Sequence, residues 1–250
     1  MAKPDKIALI TGAGRGLGRA IALRLASEGV AIVANYLTSQ ADAESLVAEI
    51  SAKGGRAIAV KGNVRSFADV KAMVKAGSDA FGPISILINN AGWMVPKAFE
   101  DNDEEYWDRV LDTKIRASLY TVSSVLPQMK KLGWGKIINI TGDSGRVGLA
   151  RAVVHTGAQG ALQSMTKSWA REFAEHGIRV NAVSPGPIAS DQQAEFAQIA
   201  PDLASTDLWG PLGVGKPEDI AAAVAFFVRE EGDHITGQIL SVNGGRAYPS

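Results

Sequence analysis

Cysteine is absent from these 250 residues, which excludes disulfides and thiolate-held metals. Histidine is scarce too: His155, His176 and His234 are dispersed along the chain, so no metal cluster is expected. Neither sign of charge dominates, since 26 basic residues balance 26 acidic ones without a long Lys/Arg run, and a nucleic-acid partner is not expected. No apolar run approaches the roughly 20 residues that span a bilayer. The chain reaches strand-like sequence at Ile7 without a signal-peptide core, which predicts a soluble, cytoplasmic protein with no membrane partner. What remains is a 46% hydrophobic chain whose length suits one α/β domain, residues 1–250, burying both faces of a central sheet.

The stretch KIALITGAGRGLGRAIALRLA, from Lys6 to Ala26, reads strand, glycine turn, helix. Gly12, Gly16 and Gly18, with Gly14 between them, let the backbone turn tightly and let a pyrophosphate approach its N–H groups, while the helix that starts near Arg15 and Leu17 presents the positive end of its dipole. Strand and helix then alternate. Strands are expected at Ala31–Tyr36, Ala57–Val64, Ile84–Ile88, Lys136–Thr141, Arg179–Val183 and Gln238–Val242. Helices are expected at Ser39–Lys53, Phe67–Phe81, Asp103–Leu132, Arg151–His176 and Lys216–Glu230, the last with Pro217 in its first turn. The repeat predicts a Rossmann-like, doubly wound parallel sheet with helices on both faces and ligands at the carboxyl ends of its strands.

Four motifs in order carry a resemblance: TGAGRGLG at Thr11–Gly18, NNAG at Asn89–Gly92, RVNAVSPG at Arg179–Gly186 and GQILSVNGG at Gly237–Gly245. The chain resembles, end to end, a short-chain dehydrogenase/reductase of the compact type. The resemblance implies a seven-stranded sheet, a nicotinamide dinucleotide, a small-molecule substrate, and a homotetramer (or homodimer) built through the two long helices.

At the end of the second strand such folds choose between NAD and NADP, because an acid there accepts from the ribose hydroxyls and repels a phosphate. Here the position holds Asn35, with Tyr36, Thr38 and Ser39 beyond it and Arg15 in the glycine turn, so NADP(H) is favoured over NAD. A second basic residue near Leu37, frequent in relatives that prefer NADP, is missing. The resemblance places Asn63 and Val64 at the adenine, Asn90, Ala91 and Gly92 at the nicotinamide ribose, and Pro185, Gly186, Ile188 and Ser190 at the nicotinamide.

The other half departs from the family. Its working Ser, Tyr, Lys and Asn correspond here to Gly142, His155, Gln159 and Lys114. One account is a repurposed site. His155 and Gln159 lie four apart on one helix face, an imidazole that titrates near neutrality can serve as acid or base, and Lys114 returns a cation to the same volume. Asp143 and Ser144, just past the strand end, then orient the imidazole or bind substrate. A second account is a decayed site in a nucleotide-binding pseudoenzyme, or a non-redox protein of the same fold, with a regulatory or scaffold role. A third is a substrate that needs little proton help, such as an iminium or an activated C=C bond. Trp93, Met94, the loop Gly148–Val154, and a lid over about residues 187–212 containing Phe196, Ile199, Leu203, Leu208 and Trp209 predict a largely apolar substrate pocket. Asp191, Gln192 and Gln193 add polar groups at the lid's start.

Overall fold

The computed structural model describes residues 5–190, 194, 197–201 and 210–247. In β1 (Ile7–Ile10) every side chain is buried, and the burial alternates: Ala8 and Ile10 join one core, Ile7 and Leu9 the other. Successive residues of a strand point to opposite faces, so a strand with no polar position has to be covered on both. With β2 (Ala31–Tyr36), β3 (Ala57–Lys61), β4 (Ile86–Asn89), β5 (Gly135–Ile140), β6 (Ile178–Pro185) and β7 (Ile239–Val242) it forms a seven-stranded sheet in the order β3-β2-β1-β4-β5-β6-β7, each neighbour parallel. This is the expected Rossmann-like α/β architecture, and the chain reverses direction across the sheet between β1 and β4, which opens a crevice at the carboxyl ends.

One face is covered by α1 (Gly16–Ser27), α2 (Gln40–Ala52) and α8 (Pro217–Val228), whose Ile21, Leu25, Leu46, Ile50, Ile220 and Phe227 fill the first core. The second core takes Val74 from α3 (Phe67–Phe81), Val122, Val125 and Met129 from α5 (Ala117–Leu132), and Phe173 from α7 (Val153–Phe173). Burying each such side chain contributes about 1.5–3 kcal/mol. The two layers therefore hold the strand ends in fixed register.

The structure differs from the sequence expectation most where it shapes the crevice. The segment expected as one helix over Asp103–Leu132 is α4 (Glu104–Leu111), capped by the Asp103 carboxylate accepting from Tyr106 N at 2.8 Å, then a π turn (Asp112–Arg116), then α5. Such a widened turn breaks the regular hydrogen-bond ladder and re-aims a side chain; here it carries Lys114, which is buried. A short helix, α6 (Ser144–Val147), follows β5 where no periodicity signals one, and α7 starts two residues later than expected. Most of the expected lid, including Asp191, Gln192, Gln193, Phe196, Leu203, Leu208 and Trp209, lies outside the described residues. Among the described residues no helix is long and apolar enough to cross a membrane, and no group of His, Asp and Glu is arranged to hold a metal.

Candidate active site

The glycine turn between β1 and α1 is held by its neighbours. The Thr11 hydroxyl accepts from the Asn90 and Ala91 main-chain N–H groups at 2.9 Å each, and Asn90 Nδ2 donates back to Thr11 O and Gly12 O at 2.9 and 3.1 Å. Asn35 serves the same end: Oδ1 accepts from Gly12 N at 3.2 Å, and Nδ2 donates to Gly62 O at 3.0 Å. Its side chain thus ties β2 to the turn and to the end of β3. Gly12 and Gly16 sit at φ 64° and 54°, where side chains are rarely tolerated, and a Cβ on Gly16 would meet nothing, so that position is open. Gly18 is glycine for the opposite reason, because its Cβ would fall 2.2 Å from Gly12 O.

The first turn of α1 has no side-chain cap and no acidic residue. Its leading N–H groups therefore keep their hydrogen-bonding capacity and the positive end of the helix dipole for an anion. Beside it stands the exposed Arg15, whose backbone is extended. These residues fit the diphosphate of a dinucleotide: a donor-rich helix end, an open glycine and a cation.

A cleft of about 710 Å³ runs from this turn along the carboxyl ends of the strands, within the roughly 300–1,000 Å³ usual for small-molecule and cofactor sites. It brings together all the residues expected to hold the cofactor except Gly18, and Lys114, Asp143, Ser144, His155 and Gln159 as well. Gly18 acts on the turn's packing instead. The cleft also takes in Leu149, from the loop expected at the substrate pocket, and Glu105, Arg109 and Arg246, which motif reasoning missed. Glu105 and Arg109 are four apart on α4, a helical spacing that signals a shared face, and Arg109 lies over the Trp93 ring at 4.0 Å. Trp93 is in turn held edge-on by Tyr106, whose hydroxyl donates to Val95 O at 2.7 Å.

At the far end Lys114, His155 and Gln159 form one cluster. Lys114 Nζ donates to Ala91 O at 3.3 Å and to Ile140 O at 3.2 Å, and burial lowers its pKa to about 8. His155 Nε2 is 3.0 Å from Gln159 Nε2. Burial first, and then the Lys114 charge, lower the His155 pKa to about 4, with a hydrogen bond to the Trp93 main chain pulling weakly the other way. The expectation that this imidazole titrates near neutrality is thus corrected, because desolvation disfavours its charged form. A neutral ring nitrogen accepts from the Gln159 amide, which leaves Gln159 Oε1 buried without a partner. A Cβ on Gly142 would lie 3.5 Å from the Gln159 amide nitrogen, an ordinary contact, so this arrangement does not itself require glycine there.

Asp143 also departs from expectation. One carboxylate oxygen accepts from the Ser184 and Ser241 hydroxyls at 2.9 and 3.3 Å, and the other from Asn243 Nδ2. The carboxylate is spent joining β5 to β6 and β7, and the imidazole's side-chain partner is Gln159. Ser144 opens α6 and lies at the cleft wall, with its hydroxyl 3.7 Å from where a Gly142 Cβ would stand.

Comparison with known proteins agrees with this geometry. Residues 12–247 match the family model described as "Enoyl-(Acyl carrier protein) reductase". The chain is 39% identical over 244 residues to the 3-oxoacyl-(acyl-carrier-protein) reductase FabG of Staphylococcus aureus, covering 97% of this chain and 98% of that one. It is 36% identical over 246 residues to nodulation protein G of Azospirillum brasilense, covering 98% and 99%. A short-chain dehydrogenase/reductase mutant from Serratia marcescens superposes with a TM-score of 0.88 at 32% identity, covering 97% of this chain and 98% of that one. A metagenomic blue fluorescent protein in complex with NADPH superposes with a TM-score of 0.88 at 31% identity, with the same coverage. With a sheet, a glycine turn and a cleft of this kind, and with relatives matched over nearly their whole length, the chain belongs to the short-chain dehydrogenase/reductase family of oxidoreductases.

Proposed function

We propose that this protein is an NADP(H)-dependent oxidoreductase with a non-standard proton donor, acting on the C=O, C=N or activated C=C bond of a small, largely apolar substrate. One observation carries the reading: a single cleft joins an uncapped helix N-terminus to a buried amine. Arg15, Thr38 and Ser39 place a cation and hydroxyls where an acid would select NAD, which supports the phosphorylated dinucleotide. The likeness to a protein in complex with NADPH supports the same choice.

When bound, the dinucleotide supplies or accepts a hydride. The chain's own part is proton and charge handling. Lys114, with a pKa of about 8, is mostly protonated at neutral pH and is placed to donate to a substrate oxygen or nitrogen that gains charge. His155 stays neutral and is oriented by Gln159 and by the Trp93 main chain. Trp93, Met94 and Leu149 give the apolar wall that excludes water from the reacting end. Exposed Trp107, Leu111 and Leu119 on α4 and α5, which make up the first of the two long helical segments, support a homotetramer or homodimer built through those two segments.

Titrating NADPH and NADH by tryptophan fluorescence, then following NADPH oxidation against ketone, imine and activated-alkene panels, tests the reading. NADPH is expected to bind more tightly, with turnover in one panel. Binding of neither nucleotide overturns it, and binding without turnover in any panel favours the pseudoenzyme, the account consistent with the replacement of the family's four working residues.

A further inference from the structure

We propose that Lys114 is a carbonyl-trapping nucleophile, whose Nζ adds to an aldehyde or ketone in the cleft and forms a reversible Schiff base without any dinucleotide. The nitrogen's two hydrogen-bond partners are both main-chain carbonyls, so an amine can stand there as well as an ammonium. Ala91 O and Ile140 O, at 3.3 and 3.2 Å, are two acceptors for two N–H groups, so a neutral –NH2 satisfies both and keeps its lone pair in the remaining tetrahedral direction. An ammonium there would carry one donor more than those two carbonyls take up.

The other deeply buried lysine among the described residues is built differently. Lys136, fully buried in β5, has the Asp233 carboxylate at 2.7 Å, the usual answer to a buried cation. No salt bridge is formed by Lys114 among the described residues, and the Asp143 carboxylate, which lines the same cleft, is engaged by Ser184, Ser241 and Asn243. A Cβ on Gly92 would stand 3.1 Å from Nζ, so glycine keeps that side clear, and Lys114 lines the cleft together with the neutral His155.

The step balances without an oxidant or reductant. The nitrogen lone pair forms the C–N bond, the carbonyl π electrons move to oxygen, and that oxygen takes a proton released by nitrogen. The hydroxyl then leaves as water with the second nitrogen proton, and C=N remains. His155 can relay these protons because its ring is unprotonated at neutral pH. Burial also makes the free amine available: at pH 7 a lysine of pKa about 8 is roughly 200-fold richer in amine than one of ordinary pKa.

The test uses the folded wild-type protein without nucleotide, treated at pH 7 with benzaldehyde and sodium cyanoborohydride and mapped by peptide mass spectrometry. Lys114 is expected to be benzylated at least ~10-fold faster than the exposed Lys53 and Lys75. Lys114→Arg should abolish labelling at that position and leave the surface pattern unchanged. Labelling of Lys114 no faster than that of the surface lysines, or none in protein that keeps its native circular dichroism, overturns the proposal. The dinucleotide titration is read separately, so either idea can fail while the other stands.

Discussion

The glycine turn and the Lys114–His155–Gln159 cluster occupy two ends of one cleft, yet they are made in different ways. At the turn, backbone conformation does the work: Gly12 and Gly16 take positive φ, Gly18 admits close packing, and Asn35, Thr11 and Asn90 hold the loop with neutral hydrogen bonds. At the cluster, the backbone is ordinary apart from the π turn, and the decisive quantities are which protons survive burial. The first end is therefore sensitive to sterics and indifferent to pH. The second responds to pH through Lys114 and His155.

That contrast is broken most severely at Gly18. Gly18→Val sets side-chain atoms against Gly12 O and Ala13 Cα, main-chain atoms that cannot move aside. The loss is expected to exceed the roughly 1–3 kcal/mol of ordinary overpacking, with Tm lower by on the order of 10 °C in a thermal melt and NADPH binding abolished.

Lys114→Met should do the opposite, since it removes the proton and the buried charge together. On any panel substrate that is turned over, kcat at pH 7 falls roughly 10²-fold, while Tm moves by no more than about 3 °C. In the wild type, kcat/KM declines above pH 8 as Lys114 loses its proton, and no limb appears near pH 6.5 from His155.

His155 sharpens the comparison through stability. The unfolded chain takes up its proton below about 6.5, the folded chain only near 4. The His155 contribution to folded stability is thus present above pH 6.5 and is lost as pH falls toward 4, by about 2 kcal/mol between pH 7 and 5. Urea denaturation at the two pH values should show a smaller decline in His155→Gln than in wild type. The smallest effect belongs to the turn's only cation: Arg15→Ala should weaken NADPH roughly tenfold, about 1.4 kcal/mol, and leave NADH unchanged in the fluorescence titration.

Particular residues show how far the sequence could be read. The apolar run at Ile7–Ile10 and the glycines after it announced a buried strand and a turn, because burial on both faces and positive φ each demand a recognisable residue type. The positions of Lys114, His155 and Gln159 around one cleft followed from family spacing and helix periodicity. Their state did not. Asp143 sits close to His155 in the chain, yet the hydroxyls and amide of Ser184, Ser241 and Asn243, up to a hundred residues further on, claim it. The π turn that carries Lys114 and the α4 face that brings Arg109 over Trp93 gave only weak local signals, because both depend on what packs against the helix.

By itself the sequence determined where this backbone can bend, where it is buried, and which side chains stand at the strand ends, since each of those is a property of a residue and its near neighbours. Only the tertiary structure decided that His155 is neutral, that Lys114 is poised between ammonium and amine, and that Asp143 is occupied elsewhere. Desolvation and hydrogen-bond competition are summed over every atom surrounding a group, and those atoms come from segments that meet only when the chain has folded.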